Sequence, residues 1–206
     1  MARLNLQQIR VWDLPVRLGH WTMAAGFALA WITGDSEEWR LVHVYAGSAV
    51  LAIALFRLLW GFIGSRHARF INFIRSPEAA ILYLKNLTRL SPPHYTGHNP
   101  AGGLAILALL ALAVASSITG WFIYQEMFGS WPERLHDMLA TAMLGLVVIH
   151  LAGVAAGSIV HKENLVRAMI TGRKTGALTE AISRPGYIAT LVLISWTVAA
   201  AWWLAQ

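Results

Sequence analysis

Residues 131–161 read WPERLHDMLATAMLGLVVIHLAGVAAGSIVH. From Met138 to His161 there is no Asp, Glu, Lys or Arg. A membrane helix needs roughly 17–25 such residues. The run is rich in Ala, Leu, Ile and Val and shows no strict alternation, which favours a helix over a barrel strand. Two histidines lie fourteen residues apart, His136 and His150. Fourteen residues turn about 1400°, about 40° short of four full turns, and rise about 21 Å. Both imidazoles therefore project from nearly one face, one near each end of a span. Ionisable side chains in such places are costly and usually functional.

The rest of the chain is of the same kind. Of 206 residues, 57% are hydrophobic and 13% charged, against about 25% charged in water-soluble domains. A surface so poor in charge cannot face water all round, which excludes an ordinary soluble enzyme. Four further charge-poor runs cover Leu18–Gly34, Leu41–Phe56 (continuing past Arg57 to Ser65), Leu90–Gln125 with its apolar part from Ala101, and Pro185–Gln206. Trp12, Leu14 and Val16 can extend the first as an interfacial turn. No A-x-A-like cleavage site follows that run, so no removed signal peptide is expected. The expected fold is an all-α membrane protein: a four-helix transmembrane bundle plus a fifth C-terminal transmembrane helix. It is read as one integral membrane domain over 1–206, with the bundle at about 9–165 and a linker and added helix at about 166–206.

Charge gives the orientation. Fourteen of the sixteen Lys and Arg fall in the N-terminal tail (Arg3, Arg10, Arg17), in the stretch from Arg57 to Arg89, and in the stretch from Lys162 to Arg184. The opposite side holds Arg40 and Arg134 with Asp35, Glu37, Glu38, Glu126, Glu133 and Asp137. Basic loops face the cytoplasm, so the N-terminus is expected inside and the C-terminus in the periplasm of a bacterial inner membrane. The net charge of +6 then calls for no nucleic acid. Between the second and third runs, Ser76-Pro77-Glu78 reads as a helix start. Ala79, Ile81, Leu82, Leu84 and Leu87 continue it as a short amphipathic surface helix that ends at Ser91-Pro92-Pro93.

Four histidines, His67, His94, His98 and His161, fall in loops or at the cytoplasmic edge, where hydration is the simplest expectation. The other four occupy two levels. His20 begins the first helix at the inner side and His43 the second at the outer side; His136 is outer and His150 inner. Two imidazoles from different helices at one level suit haem iron, which takes axial ligands on opposite faces of a plane. Gly19, Gly47, Gly145 and Gly153 lie near these histidines and would let a ring approach, although small residues also serve helix packing. A zinc or nickel path would bring intramembrane carboxylates, and a proton relay polar residues between the levels. Neither pattern is present in these runs, and four purely structural histidines at matched levels are a poorer account. With no Cys, covalent c-type haem is excluded.

Val11-Trp12-Asp13 followed by Pro15, Arg17, His20 and Trp21 resembles the opening motif of bacterial di-haem b-type cytochromes. These are the cytochrome b-561 proteins and the b-type cytochrome subunits of nickel–iron hydrogenases. Gly97-His98-Asn99-Pro100-Ala101-Gly102-Gly103 resembles their motif before the third helix, and Leu135-His136-Asp137 with His150 resembles their fourth; the likeness covers about residues 9–170. It implies two non-covalent b haems with His20, His43, His136 and His150 as axial ligands. It also implies electron transfer across the membrane between a quinone pool and a periplasmic redox partner, a hydrogenase or a c-type cytochrome. The fifth segment departs from the four spans of the hydrogenase subunits. Ligands of one iron must share a level, so the pairs are His43 with His136 and His20 with His150. Arg17 and Arg40, each one turn before a ligand, could pair with haem propionates or anchor lipid headgroups. His98 and Asn99 could hydrogen-bond a quinone carbonyl; Asn99 could equally cap the third helix. Such a chain is an electron-transfer subunit more than a catalyst alone. The alternative is a stand-alone oxidoreductase passing electrons from superoxide to quinone. The acidic outer side favours a protein partner with a basic patch.

Overall fold

The structure, a computed structural model, describes residues 7–206; Arg3 lies outside the described residues. Local chemistry starts each long helix. Asp13 caps α1 (Leu14–Thr33), accepting the Val16 N–H at 2.9 Å, with Pro15 in the first turn. The α2 helix spans Arg40–Ile63. After the short α3 (Phe70–Phe73), α4 (Pro77–Thr88) begins as the sequence implies, with Ser76 accepting the Ala79 N–H. It stops three residues short of Ser91. Its buried residues are Ala80 and Tyr83, whereas Ile81, Leu82 and Leu84 are exposed. Asn99 caps α5 (Pro100–Tyr124), and Pro132 stands in the first turn of α6 (Trp131–Val160). The α7 helix (Leu165–Thr171) ends at Gly172, whose φ of +77° is the left-handed conformation that glycine adopts without cost. The last helix is α8 (Tyr187–Leu204).

Among the described residues, four helices are long and apolar enough to cross a membrane: α2, α5, α6 and α8. The first apolar run departs from that expectation. α1 has the length, but Arg17, His20 and its threonines and tryptophans dilute its hydropathy. Trp12 is no interfacial turn either; it lies outside the helix and is buried.

Helices α1 and α2 form one antiparallel pair and α5 and α6 another; α2 joins them by packing on α5. Val50, Ala54, Leu110, Ala113 and Met143 meet there, closed at one end by Phe70 and Phe73. By contrast, α6 packs along α5 and stands off from α1 and α2. The α8 helix leans on α2 and α1, its Trp196 indole donating to the Ala52 carbonyl at 2.8 Å. At the basic end a two-stranded antiparallel sheet, absent from the sequence reading, joins β1 (Gln7–Arg10) to β2 (Arg173–Gly176). Beneath it Ile9, Val11, Trp12, Val16 and Ala68 form a second core. The basic segment after α6 is therefore folded back onto the start of the chain.

Candidate haem site

At the acidic end, His43 on α2 and His136 on α6 face each other with ring centroids 6.0 Å apart and planes at 71°. Two imidazoles on one iron, each bonded at about 2 Å and adding about a ring radius, give a centroid separation of roughly 6 Å. Each ring is also oriented from behind. His43 Nδ1 lies 2.8 Å from the Ala30 carbonyl and His136 Nδ1 lies 2.9 Å from the Ser116 carbonyl. An Nδ1–H donated to a carbonyl fixes the tautomer and leaves Nε2 as the free lone pair, the arrangement that metal-binding histidines use. Neither acceptor was legible beforehand. Ala30 and Ser116 are apolar or small residues on neighbouring helices, and only their backbone oxygen matters.

Close approach of α5 to α6 depends on Gly120. A Cβ there would lie 3.0 Å from Cε1 and 3.2 Å from Nδ1 of His136, inside the usual 3.5–4.0 Å contact. Gly47, Gly145 and Gly153 are different: a Cβ on any of them meets no atom within 4 Å. Gly47 and Gly153, about one turn from His43 and His150, border open space near those side chains, whereas Gly145 lies about 140–180° round α6 from His136 and His150. Gly19 instead packs, against Ile53 and Leu193.

At the basic end, His20 on α1 and His150 on α6 lie within electrostatic reach of each other. His20 stacks edge-on to Trp21 at 5.1 Å, and its buried Nδ1 has no hydrogen-bond partner among the described residues. No group of three or more His, Asp or Glu that could hold a bare metal ion occurs among the described residues. His43 and His136 stand ring against ring, and His20 and His150 share the basic end.

The pattern that defines prokaryotic cytochrome b561 matches residues 11–172, most of the chain. The chain belongs to the prokaryotic cytochrome b561 family. Among its relatives is the probable Ni/Fe-hydrogenase B-type cytochrome subunit of Rhodobacter capsulatus, 25% identical over 84% of this chain and 86% of the relative. The subunit of the same name from Azotobacter chroococcum is 26% identical over 80% of this chain and 87% of the relative. The probable Ni/Fe-hydrogenase 1 B-type cytochrome subunit of Escherichia coli is 26% identical over 59% of this chain and 63% of the relative. No solved structure shows a significant match. Membership makes this a haem-binding electron-transport protein with membrane helices.

The residues present fit haem b. Opposed imidazoles, backbone-held tautomers and glycines bordering open space are what a planar macrocycle with two axial ligands requires. The remaining candidates of this cytochrome b561 are distributed around it. Arg40 lies at the acidic end with its guanidinium 5.7 Å over the Tyr124 ring. It lines an open groove of about 580 Å³ with Glu37, Glu38 and Gln206. Arg17 donates through Nη2 to the Ile170 carbonyl, and its Nε is buried without a hydrogen-bond partner among the described residues. Asn99 Oδ1 accepts the Gly102 N–H at 2.8 Å, so its cap role is realised. His98 is sandwiched between Trp12 and Phe73, with ring centroids at 4.5 Å to each, and burial holds its pKa well below the ordinary value.

Two loop histidines are not hydrated as the sequence implied. His67 is buried, with Nε2 2.7 Å from the Glu180 carbonyl, and His98 is enclosed. The reason is tertiary: the segment after α7 folds over this end, and Lys174, itself buried, bridges Glu163 and the Tyr95 carbonyl at 3.2 and 3.1 Å. The opening motif also acquires a structural role. Asp13 is 1% exposed, and its second oxygen accepts the Trp60 indole N–H at 2.9 Å, latching α1 to α2.

Proposed function

We propose that this cytochrome b561 is the membrane electron-transfer subunit of a respiratory complex. It holds two b haems, on His43 with His136 at the periplasmic level and on His20 with His150 at the cytoplasmic level. When bound between the histidines of each pair, such a haem would supply a one-electron carrier. The observation that carries the reading is the His43–His136 pair, opposed at 6.0 Å with both Nδ1 atoms committed to carbonyls. Arg40 and Arg17, each one turn before a ligand, serve haem propionates, Arg17 through its buried Nε. The basic end is cytoplasmic, α1 spans with the other four long helices in an inner membrane, and the C-terminus is periplasmic.

Electrons pass between a quinone and a periplasmic redox protein. A hydrogenase is favoured, because the relatives' names specify one. The quinone headgroup is assigned to the basic end. There His98 Nδ1 is buried without a hydrogen-bond partner among the described residues, and the Asn99 amide nitrogen is free of the cap bond. The acidic residues at the other end, Glu37, Glu38, Glu126 and Glu133, complement a basic docking patch.

A visible spectrum with a pyridine haemochrome count on the purified chain tests the core of the reading. Two b haems per chain are expected; none, or one, sinks it. Co-purification with the redox partner should weaken as salt rises past 0.1 M, where charges are screened beyond about 10 Å. A C-terminal reporter active only in the cytoplasm would contradict the topology.

A further inference from the structure

Arg57 follows His43 by fourteen residues on α2, the spacing that separates His136 from His150 on α6. It therefore stands about 21 Å nearer the basic end and within about 40° of the His43 face. The guanidinium lies 5.3 Å over the Phe70 ring and 6.0 Å over the Phe73 ring. Phe73 also packs on His98, which is itself within electrostatic reach of His150. Arg57 is thus at the level of the His20–His150 pair.

Both terminal nitrogens of Arg57 are buried and make no hydrogen bond among the described residues. Asp13 is within electrostatic reach, but its oxygens are taken by the Val16 N–H and the Trp60 indole. A guanidinium does not lose its proton at any ordinary pH. A buried charge with no partner is strongly destabilising, so the site calls for an anion. The planar fork of Arg matches a carboxylate through two parallel hydrogen bonds.

We propose that Arg57 receives a propionate carboxylate of the haem held by His20 and His150. The proposal rests on the two-haem reading above. Arg57 neutralises the propionate; an uncompensated carboxylate favours the more positive, oxidised iron. Removing the guanidinium therefore lowers the potential of that haem and leaves the other unchanged.

The test uses the full holoprotein in membranes, with R57Q and R57K compared with wild type. The haems are assigned by His20 and His43 variants. Each haem is titrated potentiometrically, and redox-difference infrared spectra are taken with haem carrying ¹³C in its propionates. R57Q is expected to shift the inner-haem equilibrium at least tenfold toward the oxidised form, about 59 mV for one electron, and to move the ¹³C-carboxylate band. R57K should recover part of both. If R57Q does not accumulate with haem, R57K alone decides, since a displaced carboxylate band is still expected. Unchanged inner potential with unmoved propionate bands overturns the proposal. So does loss of quinol oxidation with both haem signals intact, which would assign Arg57 to the quinone. A wild-type chain holding a single haem removes the reading beneath it, a result that needs no Arg57 variant.

Discussion

Replacing Gly120 by alanine sets two effects of opposite sign against each other. Alanine is the better helix former by about 1 kcal/mol, so α5 alone would gain. The new Cβ, however, lands 3.0 Å from His136 Cε1 and 3.2 Å from Nδ1, about half an ångström inside ordinary contact. The imidazole has little room to yield. Its Nδ1 is held at 2.9 Å by the Ser116 carbonyl, and its free edge faces His43 across 6.0 Å. Overpacking at such a site costs about 1–3 kcal/mol, which is roughly 5- to 150-fold in affinity. The cost falls on the ligand geometry, so the outer haem should bear it. G120A should therefore lose most of the outer haem on detergent washing, or show it with a shifted spectrum, while the inner haem stays. The apoprotein, which has the same contact, should be level with wild type in a melt or less stable by up to about 2 kcal/mol, the overpacking cost less the helix gain. Haemochrome counts, low-temperature α-bands and apoprotein melting read all three. A G120A protein that retains both haems with wild-type spectra would refute the claim that this glycine seats the ligand.

Replacing His43 or His136 should abolish one haem signal and replacing His20 or His150 the other; loss of both from one substitution, or an exchanged pairing in redox titrations, contradicts the two levels. D13A should destabilise the fold by about 3 kcal/mol, from about 1 for the cap and about 1.5–3 for a hydrogen bond to a charged group; a melting shift no larger than that of a surface control would show that the Trp60 latch is idle. Burial holds the imidazoles of His67, His98 and His161 below the ordinary histidine value of about 6.5. They are neutral in the fold, and the unfolded chain binds protons first as pH falls. Their contribution is therefore complete above about pH 6.5 and is lost progressively below it. Hydrogen exchange in residues 91–99 and 173–182 should rise from pH 7 to pH 5, and H98F should flatten that rise; a flat wild-type profile would contradict the burial.

Much of this architecture was legible because it is local. Ser76 and Asn99 announce helix starts through bonds to N–H groups three residues away, and the fourteen-residue spacing of His136 and His150 is a property of one helix; Asp13 caps α1 by the same local bond but reads in sequence only as part of a motif. What one helix cannot encode is where its neighbour stands. The Ala30 and Ser116 carbonyls reach the His43 and His136 Nδ1 atoms only through the register of α1 against α2 and of α5 against α6. Gly120 carries no signal in a helix already rich in small residues. Arg57 reads in sequence as a boundary charge, and only its enclosure by Phe70 and Phe73 makes it an unpaired cation.

The order and composition of residues, by themselves, determined a bundle of apolar helices, its charge asymmetry, and two levels of histidines, because hydropathy, capping and helical phase act within one segment. Tertiary structure alone decided that α6 stands off from α1 and α2, and that His43 and His136 face each other with their outer nitrogens engaged. It also decided that residues 173–176 pair with residues 7–10 to close the basic end over His67 and His98. These depend on contacts between segments far apart in the chain, whose energies come from shape and register and leave no periodic trace in either partner.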